Sequence, residues 1–253
     1  MMVEGFADGD SLIHRLDPRV KIIVAALFST IVAVSDRFRV LLPALVIGLI
    51  LVMLSTVPVK KLFMRLVPVN GFIIFLWLFL PFTFDGEPLF AVGPLVATNE
   101  GVYHATRITL KSNAIVVVLI ALVASTPVFA LGHALHELRI PNKIVHLFFF
   151  TYRYIHVMYR EYLRLVNAMK IRNFRPATNI HTYRTFAYLV GMLLVKSHER
   201  AKRVYNAMLC RGFRGRFYSL SRFSLKPIDV ISFILMLTVI LGLAVLEWTR
   251  ITL

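Results

Sequence analysis

Apolar residues fall in long blocks over the first half of the chain and recur at helical spacing over much of the second. Five blocks meet or approach the roughly 20 apolar residues that a helix needs to cross about 30 Å of hydrocarbon. They are Val20–Ser35, Val40–Val57, Val67–Phe84, Ile108–Ala124 and Ile228–Trp248. The first two form one apolar region interrupted by Asp36-Arg37-Phe38-Arg39, read as two spans joined by a tight turn. Because Lys21–Val34 is short, a re-entrant first segment is the alternative. Between the fourth and fifth blocks the pattern changes. Leu131–Leu138, Ile144–Arg172 and Thr182–Arg211 read as helices with mixed faces. In the second of these, Leu147, Phe150, Tyr154, Val157, Leu165 and Met169 fall mostly at helical spacing, while Arg153, Arg160, Glu161 and Arg164 occupy other positions. Pro127 and Pro141 suit helix starts; Asn173 and Gly212 suit helix stops, because both residue types tolerate the left-handed conformation just past a helix end. The pattern predicts an all-α polytopic membrane protein: four spans over 1–126, a segment of amphipathic helices over 127–226, and a last span over 227–253.

Composition agrees and adds an orientation. The 253 residues are 58% apolar, too greasy for an ordinary soluble domain, yet the formal charge is +16. That charge is unevenly spread: residues 127–227 hold eighteen Lys and Arg against three acidic residues. Arg15, Arg19 and Lys21 precede the first span, and Lys60, Lys61 and Arg65 lie between the second and third. Asp85, Glu87 and Glu100 follow the third with no Lys or Arg before Arg107. By the positive-inside rule the N-terminus and the basic segment are cytoplasmic and residues 85–105 external, with Arg37 and Arg39 dissenting. The acidic Glu4, Asp8 and Asp10 make a cleaved signal peptide unexpected, and one cysteine, Cys210, excludes an intramolecular disulfide.

The basic segment contains a repeated phrase. Arg164-Leu-Val-Asn-Ala-Met-Lys-Ile-Arg172-Asn-Phe-Arg175 returns 39 residues later as Arg203-Val-Tyr-Asn-Ala-Met-Leu-Cys-Arg211-Gly-Phe-Arg214. Each copy closes one of the two longest amphipathic helices. Ala168 with Met169, and Ala207 with Met208, offer a small and a pliable apolar surface that can enter a groove on another protein. Arg172 or Arg211, one turn later, can fork two hydrogen bonds onto a carboxylate there. Phe174 or Phe213 adds an aromatic anchor past the stop at Asn173 or Gly212. The competing reading has Ala and Met packing on a neighbouring helix and the arginines binding lipid phosphates. Lipid binding does not require a repeated Asn-Ala-Met phrase, so the matched pair favours two receiving sites on a partner.

Several phrases in order resemble one family, the transmembrane T component of energy-coupling factor (ECF) transporters, particularly its cobalt-type CbiQ branch. They are Leu16-Asp17-Pro18-Arg19-Val20-Lys21, Ser125-Thr126-Pro127, Ala134-Leu-His-Glu-Leu138-Arg-Ile-Pro141, Arg153-Tyr154-Ile155 with Glu161, Ser197-His-Glu199-Arg200-Ala201-Lys-Arg203-Val204-Tyr205-Asn-Ala207-Met208, and Arg211-Gly212-Phe213. The resemblance implies a scaffold in the bacterial or archaeal cytoplasmic membrane. It would join a substrate-binding membrane subunit for cobalt or nickel to two ATPase subunits, or an ATPase dimer, that bind ATP and Mg. It also implies that residues 127–226 are coupling helices. The family's Ala-Arg-Gly-like docking motifs fall on Ile171-Arg172-Asn173 and Cys210-Arg211-Gly212, where Ile and Cys replace Ala and Asn replaces one Gly. Both arginines are kept; equal strength at the two sites is what the departures put in question. Hinges are expected near Pro141 and over Arg175–His181.

Other chemistry is weaker. The sequence has no Gly-x-x-x-x-Gly-Lys-Ser/Thr phosphate loop, so ATP hydrolysis of the P-loop kind belongs to a partner, and no cofactor is expected in this chain. His133 and His136 share a helix face, but no carboxylate or cysteine cluster completes a metal site, and packed or surface histidines explain them better. Charges within spans are scarce; Arg107 and Lys111, near the outer end of the fourth, are expected to snorkel. Asn70 and Asn113 are placed to bond between helices or to a membrane partner. Basic residues alternating with large apolar ones fit a bilayer surface rather than nucleic acid. No nucleophile–base pair or paired carboxylates point to an enzyme. The remaining alternative is a non-coupled permease or channel subunit.

Overall fold

The computed structural model describes residues 11–56, 58–84, 88–92, 95–214 and 227–249. The acidic N-terminal residues Glu4, Asp8 and Asp10, and Asp85 and Glu87 of the third connection, lie outside them. Helices dominate: α1 (Leu12–Arg15), α2 (Pro18–Val34), α3 (Phe38–Leu54), α4 (Val59–Thr83), α5 (Asn99–Leu119), α6 (Val128–Glu137), α7 (Asn142–Ile171), α8 (Ile180–Cys210) and α9 (Pro227–Trp248). Contacts divide the chain into two units, Met1–Leu138 with Phe223–Leu253, and Arg139–Arg222.

In the first unit α2 packs on α5, α6 and α9. Its start is specified locally. Asp17 caps the helix by accepting the Arg19 N–H at 2.9 Å, and Pro18 stands at the first helical position, where its missing N–H costs nothing. The core joins Val24, Phe28 and Val32 of α2 to Val40 and Leu41 of α3, Val118 and Leu122 of the α5 segment, and Ile240 and Leu243 of α9. Outward faces are equally apolar. Phe72, Ile74, Phe75 and Leu78 of α4 are all exposed, an arrangement that water penalises and lipid does not.

Among the described residues, three helices are long and apolar enough to cross a membrane, Val59–Thr83, Asn99–Ala124 and Pro227–Trp248, and Phe38–Leu54 is a shorter apolar helix. The 25 residues of α4 extend about 37 Å, more than the hydrocarbon thickness. The protein is an all-α membrane protein with one small addition. Strands β1 (Pro88–Val92) and β2 (Leu95–Thr98) pair antiparallel, Val92 opposite Leu95.

Two sequence boundaries need correction. Helix α4 begins at Val59, eight residues before the expected Val67, so Lys60, Lys61 and Arg65 ride on its first turns instead of lying in a loop. Pro58 starts it and Pro68 is carried inside it, and the basic residues masked that start in a hydropathy window. Helix α5 likewise begins at Asn99 rather than Ile108, capped by Thr98. Its first turn packs so closely on the end of α4 that a side chain at Gly101 would meet the Leu80 carbonyl oxygen and the Pro81 Cα at 2.7 Å. The expected turn between the first two apolar segments is present as Ser35-Asp36-Arg37 between the 17-residue helices α2 and α3.

Polar residues in this unit find partners across helices. Asn70 of α4 and Asn113 of α5 exchange two amide hydrogen bonds, each 3.1 Å, which realises the interhelical option. Arg107 and Lys111 converge on Asp36 at 3.2 and 2.9 Å, so they serve the α2–α3 turn. The Lys111 hydrogen bond and charge hold the Asp36 carboxyl below the usual carboxylate range. Arg37, the dissenter in the charge pattern, donates to the Thr249 carbonyl just past α9 at 2.9 Å.

Candidate functional site at two helix ends

The second unit contains α7 and α8 and the connection between them. Each helix ends on its copy of the repeated phrase, and the two ends have the same backbone. At the end of α7, Asn173 takes the left-handed conformation (φ 59°); its N–H donates to the Lys170 carbonyl at 3.0 Å, and the Phe174 N–H to the Met169 carbonyl at 3.1 Å. At the end of α8, Gly212 is left-handed (φ 79°); its N–H donates to Leu209 at 2.9 Å, and the Phe213 N–H to Met208 at 3.0 Å. This crossed pair of bonds is the Schellman arrangement, which satisfies carbonyls that a helix end otherwise leaves open. Part of the repeated phrase is thereby explained: Met supplies the outer carbonyl, Asn or Gly the left-handed turn, and Phe the closing amide.

Side chains match position by position as well. Ala168 and Ala207 are exposed, Met169 and Met208 half-buried, Arg172 and Arg211 exposed, and Phe174 and Phe213 half-buried. Neither Arg172 nor Arg211 has an ion pair among the described residues, so both guanidinium forks are open to a partner. Ile171, beside the first, is 86% exposed, an apolar surface next to a free cation. Closing each helix uses Met and Phe backbone atoms and leaves the Ala and Arg side chains unspent.

The surroundings of the two ends differ. Phe174 lies 6.2 Å from the His181 ring and edge-on to Phe186 at 6.0 Å, so the α7 end folds onto the start of α8. Asn179 caps that start by accepting the Thr182 N–H at 2.9 Å, and the Thr182 hydroxyl accepts the Ala177 N–H at 3.1 Å. The Arg175–His181 connection, expected as a hinge, is thus built from consecutive caps. Near Pro141 the backbone departs from the ordinary: Arg139 is left-handed, with φ 61°.

Two residues of this unit lie on other faces than the sequence pattern suggests. Glu161, assigned to the polar side of α7, is buried at 7% exposure, whereas Leu147, assigned to the apolar stripe, is 65% exposed. The Glu161 carboxylate is bonded by Lys196 of α8 and, at 3.3 Å, by Arg164. The Lys196 hydrogen bond holds its carboxyl below the usual range. No helical periodicity signals such a residue, because its partner lies 35 positions away. His133 and His136 lie half-buried on α6, and among the described residues no group of three or more His, Cys, Asp or Glu comes together.

Comparison with known proteins supplies a context for these ends. The EcfT energy-coupling factor transporter transmembrane protein of Streptococcus equi subsp. equi is 28% identical, covering 94% of this chain and 93% of its own. EcfT of Leuconostoc gelidum subsp. gasicomitatum is 26% identical over 85% of this chain and 84% of its own. An uncharacterized protein of Methanocaldococcus jannaschii is 26% identical over 93% and 82%. Residues 9–224, which include both copies of the phrase and every described helix except α9, match the CbiQ family of cobalt transport proteins, and the chain belongs to that family.

Proposed function

We propose that this chain is the energy-coupling transmembrane subunit of an ATP-driven ECF-type importer, with cobalt as the transported ion. It joins two ATPase subunits, or an ATPase dimer, to a substrate-binding membrane subunit in the bacterial or archaeal cytoplasmic membrane, its N-terminus cytoplasmic. The observation that carries this reading is the pair of matched helix ends, each closed on itself through backbone atoms and each presenting an arginine with no ion pair among the described residues. Membership of the cobalt transport family and the names of the EcfT relatives support it.

In this reading residues 127–226 are the coupling module, and Ala168, Met169, Arg172, Asn173 and Phe174 form one docking site. Ala207, Met208, Arg211, Gly212 and Phe213 form the other. Each arginine forks onto a carboxylate of one ATPase while the Ala-Met surface enters its groove. ATP and Mg stay on the ATPases, and the energy of hydrolysis arrives here as relative movement of the two docked ends.

Charge reversal tests it. Loss of one charge-assisted contact in a buried groove weakens binding about tenfold or more. Arg172→Glu and Arg211→Glu should therefore each reduce ATPase co-purification, and the double variant should abolish cobalt uptake by the reconstituted complex. Intact uptake by the double variant would refute the docking role. Failure of the unaltered chain to capture any stoichiometric ATPase would instead support a non-coupled permease.

A further inference from the structure

Three of the phrases that carried the family resemblance have no part in the helix ends, and the fold brings them together. Lys21, from the first, is among the most enclosed side chains of the molecule, 1% exposed. Its ammonium donates to the Thr126 hydroxyl at 3.2 Å and to the His14 carbonyl at 3.4 Å. Asp17 and Asp229 supply the opposing charge, and the Asp17 N–H donates to Asp229 at 3.0 Å, which brings the start of α9 into the cluster. Thr126, from the second phrase, is itself buried and lies two residues before α6. Glu137, from the third, is the last residue of α6 and pairs with Arg19 at 3.0 Å.

The helix preceding Thr126 is shaped for this contact. After Leu119, α5 widens into a π turn over Ile120–Ala124, and Ser125 and Thr126 return their hydroxyls to the carbonyls it displaces. Ser125 donates to Ala121 at 2.6 Å and Thr126 to Leu122 at 3.0 Å. With its hydrogen committed there, the Thr126 oxygen is an acceptor pointed at Lys21. Such π turns recur where a helix serves a function beyond packing. Burying a charge at this position is costly, and an apolar residue would pack here with less penalty unless the contacts were needed.

We propose that Arg19 and Lys21 are positioning residues that clamp α6 at both ends to the first turn of α2, Lys21 through Thr126 and Arg19 through Glu137. Helix α6 is the last element before the chain enters the second unit at Arg139. With α6 clamped, movement imposed on the docking ends reaches the membrane helices through the chain instead of being absorbed by a sliding α6. The coupling part of this inference rests on the function proposed above; the clamp itself does not.

The test uses Thr126→Val, which keeps the shape and removes both hydroxyl bonds, combined with Glu137→Gln. Thr126→Ser is the conservative control, and none of these leaves the Lys21 charge without Asp17 and Asp229. In the full chain in lipid nanodiscs, amide exchange across α6 should rise about tenfold in the combined variant, the scale of one lost buried hydrogen bond. It should stay near the original rate with Thr126→Ser, and α3 should not change. In the reconstituted complex, cobalt taken up per ATP hydrolysed should fall while ATPase co-purification is unchanged. Unaltered exchange across α6 overturns the clamp. Altered exchange with an unaltered uptake-to-hydrolysis ratio overturns its role in coupling. A complex that captures no ATPase refutes the docking reading, and the exchange measurement still decides the clamp.

Discussion

The ends of α7 and α8 are two solutions to one backbone problem, and they differ in what holds them. At α8 the left-handed position is a glycine, which takes a positive φ without strain, and a side chain built there would meet nothing within 4 Å. At α7 the position is Asn173, whose left-handed conformation is less favourable, and the adjacent Phe174 is braced by Phe186 and His181. One end is permitted by its own residue; the other is held by its neighbours. Identical hydrogen bonds therefore need not mean identical mobility, and two helix ends of the same outline can differ in stability.

Substitutions can break or sharpen this contrast. The largest effect is expected from Phe174→Ala, which removes the brace. For a half-buried aromatic the loss is about 2 kcal/mol, part of the range for a fully buried one, and it should appear as faster amide exchange through the last turn of α7. The same measurement on the last turn of α8 should not move. Gly212→Ala comes next, at about 1 kcal/mol, because a Cβ is disfavoured at positive φ even in open space. Its exchange signature should be confined to the Leu209–Phe213 turn, and an unchanged rate there would remove glycine's freedom as the basis of that end. The smallest change belongs to Asn173→Gly, within about 0.5 kcal/mol, since relief at positive φ is offset by the entropy glycine adds to the unfolded chain. If it also equalised the effects of Arg172→Glu and Arg211→Glu on ATPase capture, residue 173 would account for the asymmetry.

The sequence shows the helix ends well because their determinants are local. Asn173, Gly212, Pro127 and Pro141 act within one turn of where they stand: α6 and α7 start, and α7 and α8 stop, within about two residues of the places they mark. Of the repeated phrase, Arg172 and Arg211 are exposed and have no ion pair among the described residues. What the sequence hid has partners far along the chain. Glu161 looks like a surface charge until Lys196 is brought to it, and Lys21 looks like a flanking positive charge until Thr126, 105 residues on, accepts its hydrogen bond. The start of α4 was hidden for a different reason: Lys60, Lys61 and Arg65 lower the local hydropathy without weakening helix formation. The β1–β2 pair has no period-two signal in the sequence, because Pro88–Val92 is apolar at every position.

The π turn has a further consequence, one of phase. A helix advances about 100° per residue, so a turn that accommodates one extra residue rotates everything after it by roughly that amount relative to an unbroken α-helix. Thr126 faces Lys21 in the rotated register. A one-residue deletion within Ile120–Ala124 would straighten the helix, and by restoring ideal geometry it would swing the hydroxyl a quarter turn or more away from its lysine. An apparent flaw in the helix thus acts as an indexing step that sets which side chain meets the buried lysine.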